Sequence, residues 1–331
     1  MKVRTVASAS ALALIASAAL AVPNAMAAPT RLPNGFTAAV VAHSGQRISG
    51  YIDATGYDLG IYIGPRVHGV TVSGATVTGA NDEGILVQDT YGVVIKNSTV
   101  AGNAVSNDFN LSERKAIVLA GTTGVVVTGN SIHGNGDGGI GVYDDGPNSP
   151  SAPTAIDPKR PVPAIGNVVA GNRIADNFNG CGIVVSAKDA GSLVEATLVS
   201  HNINTASVPG ALGGIIVAAG SVGAGTVSDT LIFGNTVTGG YIAGVGMHTS
   251  PGGSVIRTHI IGNVFARNGG QETAPGTPGT AVELLNGGRM DKTHVVRNWV
   301  ADDAFGVFHV GDTGTHIRHL HTSNVTTPVG P

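Results

Sequence analysis

The sequence predicts an all-β protein, a solenoid of parallel strands, and three observations support this prediction. A two-part unit recurs about nine times along the chain, a strand of the form Gly-aliphatic-x-aliphatic followed by aliphatic-x-Gly-Asn-x-aliphatic. Within each strand the aliphatic residues alternate with other residues, which is typical of a strand that buries one face. Glycine accounts for 50 of the 331 residues and apolar residues for 42%, so the chain can bury a core and is not disordered.

The first strand of each unit supplies two columns of residues that we expect to point into the core. One column contains only β-branched residues: Ile61, Ile85, Ile117, Ile140, Ile183, Ile215, Val245, Val282 and Val307. The second column, two residues further along each strand, consists of Ile63, Val87, Leu119, Val142, Val185, Val217, Met247, Leu284 and His309. Strands that stack coil on coil would place equivalent residues about 4.8 Å apart.

The second strand of each unit predicts two more apolar columns with a polar column between them. The first apolar column is Val72, Ile95, Val127, Val169, Leu198, Ile232, Ile260, Val295 and Leu320. The second is Val77, Val100, Ile132, Ile174, Ile203, Val237, Phe265, Val300 and Val325. The polar column is Ala75, Ser98, Asn130, Asn172, His201, Asn235, Asn263, Asn298 and Ser323. Stacked amides can hydrogen-bond along the solenoid axis, so we interpret this column as structural.

Loops of uneven length separate successive units, with first strands as close as Ala116 and Gly139 and as far apart as Gly139 and Gly182. A left-handed hexapeptide solenoid needs a short and nearly constant coil, so this spacing favours a right-handed solenoid of about nine coils. Strings such as GILVQDTYGVVIKNSTV resemble the right-handed parallel β-helix repeats of the pectate-lyase-like superfamily. The resemblance covers residues 60–325 and implies this fold, but no specific enzyme family is matched, because the superfamily includes lyases, hydrolases, epimerases and adhesins.

Four segments are predicted along the chain. Residues 1–27 are typical of a signal peptide, with two cations before an apolar Ala-rich stretch and a small-x-small sequence ending at Ala27. Cleavage near Ala27 would make the mature protein secreted or periplasmic, and no later stretch is apolar enough for a membrane span. We expect residues 28–59 to form an N-terminal cap or partial coil, residues 60–325 the solenoid and residues 326–331 a C-terminal tail.

Composition excludes several classes of protein. The chain has 18 Lys and Arg against 21 Asp and Glu and no run of like charge, so we expect no nucleic-acid partner. Its single cysteine excludes an intrachain disulfide framework and multi-cysteine metal sites, so packing must stabilise the fold.

The first group of candidate catalytic residues lies just before the first strands of adjacent units. It consists of Asp82, Arg114, Lys115 and Asp137, with Glu83 beside them as a substrate-binding candidate. Carboxylates on either side of a guanidinium could position an acid and a base around a sugar ring. The alternative is structural, because Asp is common in turns and Arg114 could serve as a surface counter-ion.

The second group lies at the opposite end of the same strands. Gln88, Tyr143 and Lys188 are further substrate-binding candidates. Asp89, Asp144 and Asp145 could together bind Ca²⁺, which accepts several carboxylate ligands, although Asp-Asp-Gly is also an ordinary turn sequence. No residue pattern in the sequence requires a cofactor. Ca²⁺ is the one candidate cofactor that the sequence suggests.

Three histidines, His259, His294 and His319, are predicted to share one outward position on the last three units. Imidazoles about 4.8 Å apart could bind Zn²⁺ or Cu²⁺. The alternative is that they arise from repeat duplication, because a neutral histidine on a strand face needs no ligand.

The outward face of the first strands carries an apolar stripe, which consists of Tyr62, Leu86, Val118, Val184 and Ile216 with Gly141 among them. Such a stripe is unusual on the surface of a monomer. We therefore expect a loop, a ligand or a second copy of the chain to cover it, and the last of these would make a homo-oligomer.

Two functional classes fit these features. One is a carbohydrate-active enzyme, a polysaccharide lyase, epimerase or glycoside hydrolase, with its site in an outer groove over the second to fifth coils and a polysaccharide or other glycan as its partner. The other is a non-catalytic surface or envelope protein, a rigid rod on which the charged residues are solubilising ladders. A pocket that joins Asp82, Arg114, Asp137 and Asp144 would favour the enzyme, since catalysis needs convergent groups.

Overall fold

The structure is a computed structural model that describes residues 30–32, 36–104, 114–149, 161–207, 212–240, 243–269, 279–312 and 314–330. These residues form 35 β-strands, which we number in chain order. The described ranges contain no helix, hence none that is long and apolar enough to cross a membrane. The predicted signal peptide, residues 1–27, lies outside the described residues.

The strands form three sheets. Sheet 1 has 12 strands: β1 (Thr30–Arg31), β2 (Thr37–Val41), β4 (Leu59–Ile63), β6 (Ile85–Gln88), β9 (Ile117–Ala120), β12 (Ile140–Tyr143), β16 (Cys181–Ala187), β20 (Leu212–Ala219), β24 (Ala243–Thr249), β28 (Thr280–Asn286), β32 (Phe305–Val310) and β35 (Thr327–Gly330). Sheet 2 has 18 strands: β3 (Arg47–Asp53), β5 (Thr71–Thr78), β7 (Val94–Lys96), β8 (Thr99–Ala101), β10 (Val126–Thr128), β11 (Ser131–His133), β14 (Val168–Ala170), β15 (Arg173–Ala175), β18 (Leu198–Ser200), β19 (Ile203–Thr205), β22 (Leu231–Phe233), β23 (Thr236–Thr238), β26 (His259–Ile261), β27 (Val264–Ala266), β30 (His294–Val296), β31 (Trp299–Ala301), β33 (His316–Arg318) and β34 (His321–Ser323). Sheet 3 has five strands: β13 (Ala164–Ile165), β17 (Leu193–Glu195), β21 (Thr226–Ser228), β25 (Ser254–Ile256) and β29 (Arg289–Asp291).

Sheet 1 stacks the coils of a solenoid in register. β1 pairs antiparallel with β2, and every later strand of sheet 1 pairs in parallel with the next. Both columns predicted for the first strands are confirmed, from Ile61 opposite Ile85 to Leu284 opposite His309. β-branched and other aliphatic side chains of these columns are fully buried in the interior, because parallel strands place them directly above one another.

The register predicted for the second strands is wrong by one residue in one coil. Val169 pairs with Val199 and not with Leu198, and Ile174 pairs with Asn204 and not with Ile203. The cause is His201, which has a φ of 53° and takes the left-handed turn position that glycine occupies in neighbouring coils. Asn204 is therefore buried and donates to the Gly214 carbonyl at 2.9 Å, while Ile203 is 43% exposed.

The last coil departs further from the predicted register. Val295 pairs with Ile317 rather than Leu320, and Val300 pairs with Thr322 rather than Val325. Here His319, with a φ of 52°, holds the turn position, so the whole unit begins three residues earlier than predicted and Ser323 leaves the polar column. Other coils have a buried apolar residue where this coil has Thr322, so the apolar pattern alone predicts the wrong register here.

The polar column forms a hydrogen-bonded ladder along the solenoid axis, as predicted. The backbone N–H of Asn130 donates to Asn172 Oδ1 at 3.0 Å, and that of Asn172 donates to Asn202 Oδ1 at 3.0 Å. Asn202, not His201, continues the ladder, which passes through Asn235 and Asn263 to Asn298. A second, shorter ladder links Asn103, Asn135 and Asn177. Each side chain satisfies buried backbone groups at a bend, where no strand partner is available.

The apolar stripe on the outer face of sheet 1 is buried within the single chain. Leu86 and Val118 are fully buried, and Tyr62 and Val184 nearly so, in a cluster that also contains Leu59. The Tyr143 ring lies over Gly141, which explains the glycine in this column, because a side chain there would meet the ring. Its side chains offer little surface to a second copy, so the described residues give no support to an oligomer contact through this stripe.

Candidate functional site

Polar side chains lie at both ends of the apolar stripe on sheet 1. We call Asp82, Glu83, Arg114, Lys115 and Asp137 the strand-start cluster. We call Gln88, Asp89, Asp144, Asp145 and Asp189 the strand-end cluster. At about 3.3 Å per residue along β6, the two clusters are roughly 20 Å apart. Two carboxyls that act on one glycosidic bond lie within about 10 Å of each other, so the two clusters cannot share one reaction centre.

The strand-start cluster is organised around a buried ion pair. Arg114 Nε lies 2.8 Å from Asp82 Oδ1, and both side chains are about nine-tenths buried. Lys115 Nζ donates to the Arg114 carbonyl at 3.2 Å, and its side chain packs against Gly138, the residue after Asp137. Asp137 itself is half-buried. The direct pairing of Asp82 with Arg114 agrees with the structural alternative for these two residues.

Glu83 is the unusual member of the strand-start cluster. It is buried, and its Oε2 atom meets no donor among the described residues. Burial, and next the Asp82 carboxylate, raise the pKa of Glu83 to about 8, against the opposing effects of Arg114 and Lys115. Glu83 therefore holds its proton at neutral pH.

A chain of hydrogen bonds across neighbouring coils leads into the strand-end cluster. The Tyr62 hydroxyl donates to Gln88 Oε1 at 2.8 Å, and Gln88 Nε2 donates to Asp145 Oδ2 at 2.9 Å. Asp89, which has a φ of 46°, follows Gln88 with both carboxyl oxygens shielded from water. Burial, and next the neighbouring Asp145 carboxyl, raise the pKa of Asp89.

Asp144 and Asp189 converge on Gly146. A Cβ at Gly146 would lie 2.9 Å from Asp144 Oδ2 and would also meet Asp189 Oδ2, so only glycine leaves room for both carboxyls. Asp144 Oδ1 accepts from the Lys188 backbone N–H at 3.1 Å. Burial, together with the Asp189 and Asp145 carboxyls, raises the pKa of Asp144 to about 7. Asp189 accepts from Asn148 through both its backbone and its side-chain N–H groups, the former at 3.1 Å.

The other predicted substrate contacts are less accessible than expected. Gln88 and Tyr143 are fully buried, and Lys188 is half-buried. Asp144, Asp145 and Asp189 are each at most 5% exposed. Asp189 and Tyr62 are not among the predicted site residues. Acidic residues at the ends of nearby sheet 1 strands are a sequence signal that groups Asp189 with Asp89 and Asp144.

The histidine column differs from the predicted one by one member. His259 pairs with His294 and His294 with His316, so the stack contains His316 and not His319. Ring centroids along this stack are 4.8 and 5.1 Å apart. His319 lies in the turn after β33, for the reason given above. Within the part of the chain that the structure describes, no group of three or more His, Cys, Asp or Glu residues is arranged to hold a metal ion.

Comparisons with known proteins agree on the fold. A family model described as a right handed beta helix region matches residues 37–156. No curated protein matches the sequence. The structure is similar to that of the Streptococcus pneumoniae surface protein and adhesin PfbA, with 12% identity, a TM-score of 0.55 and coverage of 89% of this chain and 90% of that one.

Two enzyme structures are also similar. DFA-IIIase from Arthrobacter chlorophenolicus A6 has 12% identity and a TM-score of 0.51, over 82% of this chain and 60% of that one. The catalytic domain of a GH87 alpha-1,3-glucanase has 11% identity and a TM-score of 0.50, over 88% of this chain and 59% of that one. Identities this low show the fold alone. The protein has the predicted right-handed parallel β-helix fold, and the right handed beta helix model matches its repeats over residues 37–156.

Proposed function

We propose that this protein acts on an extracellular polysaccharide as a glycoside hydrolase, with its acid and base in the strand-end cluster. The observation that carries the proposal is the convergence of Asp144 and Asp189 on Gly146, with the pKa of Asp144 raised to about 7. Hydrolysis of a glycosidic bond needs a protonated carboxyl beside a carboxylate. Asp144 would donate its proton to the leaving oxygen, and Asp189, which accepts two hydrogen bonds from Asn148, would serve as the carboxylate.

The environment of Asp144 supports a functional role over a purely structural one. Burying carboxyls beside one another costs free energy that an apolar turn would avoid. Asp82 is stabilised by Arg114, whereas the two charged groups that act most on Asp144 are themselves carboxyls. Carboxyls whose pKa is strongly raised in this way are more frequent at catalytic sites than in solenoid turns. In this proposal Lys188 contacts the substrate, and Asp89, Asp145 and Gln88 position Asp144.

The second candidate is a non-catalytic surface protein that binds a glycan. The burial of Asp144 and Asp189 favours it, because a substrate would have to reach side chains that are 1% and 5% exposed. The similarity to a surface adhesin is compatible with this role. The strand-start residues Asp82, Arg114, Lys115 and Asp137 are then structural, and the first proposal likewise gives them no part in the reaction.

Asp144→Asn should reduce hydrolysis by at least about 100-fold, because the proton donor is lost while the shape of the side chain is kept. The mature protein would be screened against neutral and acidic polysaccharides, with and without Ca²⁺, by reducing-end release and by absorbance of unsaturated products. Asp189→Asn should have an effect of the same order. Asp53→Asn, at an exposed position of β3, is the matched control and should keep full activity.

Three results would count against the proposal. Absence of turnover by the wild-type protein on every polymer favours the surface-protein alternative. Unsaturated products indicate a lyase instead of a hydrolase. A loss of activity in Asp82→Asn, with an unchanged circular dichroism spectrum, would place the reaction in the strand-start cluster, which lies too far from Asp144 to cooperate with it.

We further propose that residues 1–27 direct export and are removed near Ala27, so that residues 28–59 begin the mature protein. A surface location of similar proteins supports export. The intact mass of the protein recovered from the periplasm or medium should correspond to a chain that begins at Ala28. A full-length chain retained in the cytoplasm would contradict the proposal.

A further inference from the structure

A crevice on the outer surface of the last coils has a distinctive lining. Its volume is about 330 Å³, and it is lined by His294, Val296, Arg297, His316, Arg318 and His319. These residues come from β30, from β33 and from the turn that follows each strand. Five of the six carry an imidazole or a guanidinium, and the lining includes no carboxylate.

The two arginines supply the positive charge of the crevice. The backbone N–H of Arg297 donates to the Arg318 carbonyl at 3.0 Å, so the two residues are held on adjacent coils. Both side chains are exposed, and neither pairs with a carboxylate of the described residues. Burial, and next His259, His316 and Arg318, lower the pKa of His294. Two unpaired guanidiniums in a concave site favour an anion.

The fold does not require these residues. In earlier coils the column of His294 contains Val126, Val168, Leu198 and Leu231. The turn position of Arg297 and His319 is glycine in several earlier coils, among them Gly129 and Gly234. Arg297 and His319 adopt φ values of 55° and 52°, a left-handed conformation that a residue with a side chain adopts less readily than glycine.

A flat aromatic surface lies at the start of β31 and β34, the strands that follow the two turns in the crevice lining. Trp299 is 59% exposed and comes two residues after Arg297. Its ring stacks on that of His321, with centroids 4.9 Å apart and planes 15° from parallel, so the indole is held in a fixed orientation. An exposed, immobilised ring next to paired cations suits a ligand with both a flat apolar face and an acidic group.

We propose that Trp299 and this crevice form a binding site for an anionic saccharide. One face of a sugar ring packs on the indole, and the carboxylate or sulfate of that sugar is held between Arg297 and Arg318. The chain as a whole carries a net charge of −3, so general attraction of polyanions does not explain such binding. The site is separate from the strand-end carboxyls and does not depend on their catalysing a reaction.

The test is the affinity of the full-length mature protein for polygalacturonate, alginate and heparin, with dextran as the neutral comparison. Binding to at least one acidic polymer, and not to dextran, is expected. Trp299→Ala should weaken it at least about tenfold. The double variant Arg297→Ala and Arg318→Ala should weaken it to a similar or greater extent and make the remaining binding less sensitive to salt.

Matched controls are available at the opposite end of the solenoid. Tyr91 is 55% exposed and stacks on His68 with centroids 5.1 Å apart, so Tyr91→Ala removes a comparable aromatic pair. Arg47→Ala removes an exposed cation from β3. Neither should change the affinity by more than about twofold. Circular dichroism and thermal unfolding of each variant check that the fold is intact.

Several outcomes would overturn the inference. These are no binding of any acidic polymer by the wild-type protein, equal binding of dextran, or unchanged affinity in the Trp299 and arginine variants. If polyphosphate binds as tightly as the best saccharide, and Trp299→Ala does not change this affinity, the site recognises charge alone. Hydrolysis by the Trp299 and arginine variants is measured beside their affinity, so a failure of the proposed hydrolysis and a failure of this inference give different results.

Discussion

Asn172→Ala should destabilise the protein by about 2–5 kcal/mol, because it breaks the amide ladder in the middle of the solenoid. Asn172 accepts from the backbone N–H of Asn130 and donates to the Val127 carbonyl, both at 3.0 Å. Alanine leaves these buried groups without partners and creates a small void, and both effects reduce the free energy of unfolding. Urea denaturation of wild type and variant at one pH measures the difference.

The end of the ladder provides the control for this prediction. Ser98 accepts only the backbone N–H of Ala75 and donates to the Lys96 carbonyl of its own coil. Ser98→Ala should therefore cost less than Asn172→Ala, about 1–2 kcal/mol. Equal and small effects of the two substitutions, with unchanged m-values, would mean that water satisfies the ladder groups and that the amide column contributes little.

The wild-type protein should lose stability as the pH rises from 5 to 8, and Glu83→Gln should remove much of this loss. The pKa of Glu83 is about 8 in the folded protein, against its ordinary value of 4.5 when unfolded. Between these values the unfolded chain releases a proton that the folded protein retains. The unfolded state is thus favoured as the pH rises. Between pH 5 and pH 8 this lowers the free energy of unfolding by roughly 3 kcal/mol, and the effect levels off above the folded pKa.

Glutamine mimics the protonated form and cannot ionise, so Glu83→Gln should be similar to wild type at pH 5 and clearly more stable at pH 8. A fall should remain in the variant, because the pKa of Asp89 is also raised, as are that of Asp144, to about 7, and that of Asp303, to about 6, in each case mainly by burial. Denaturant titrations at pH 5, 6.5 and 8 give the comparison. Parallel pH profiles for the two proteins would show that Glu83 ionises freely in the folded state.

The sheet 1 register could be predicted from sequence because the pattern lies inside a single strand. Ile61 and Ile63, and their equivalents in each coil, are two residues apart with no loop between them, so unequal loops elsewhere do not disturb their alignment. The second strands are different, since a turn residue separates their two halves. His201 and His319 take the turn position that is glycine in other coils, and Asn204 and Thr322 follow them at positions that are aliphatic elsewhere. The residue types therefore do not mark the register in these two coils, although the backbone conformation is kept.

The candidate site could be predicted only in part. Strand direction alone places Asp82 and Asp144 at opposite ends of the outer face, and the structure agrees. Burial of that face could not be predicted, because it depends on how other segments pack over sheet 1, and the raised pKa values of Glu83 and Asp144 follow mainly from burial. The convergence of Asp144 and Asp189 beside Gly146 likewise depends on the path of the loop after β12.

The amide ladder also bears on self-assembly, because the hydrogen bonds from its backbone N–H groups to its amide oxygens all run one way. Each backbone N–H donates to the amide oxygen of the following coil, up to the bond from Asn263 to Asn298. Leu320 holds the equivalent position in the next coil and has no side-chain acceptor, and β34 beside it is exposed along its length. Ala75 at the first position likewise offers no acceptor. A second molecule therefore finds no ladder to extend at either end, which disfavours end-to-end fibres of a fold whose parallel strands could otherwise polymerise without limit.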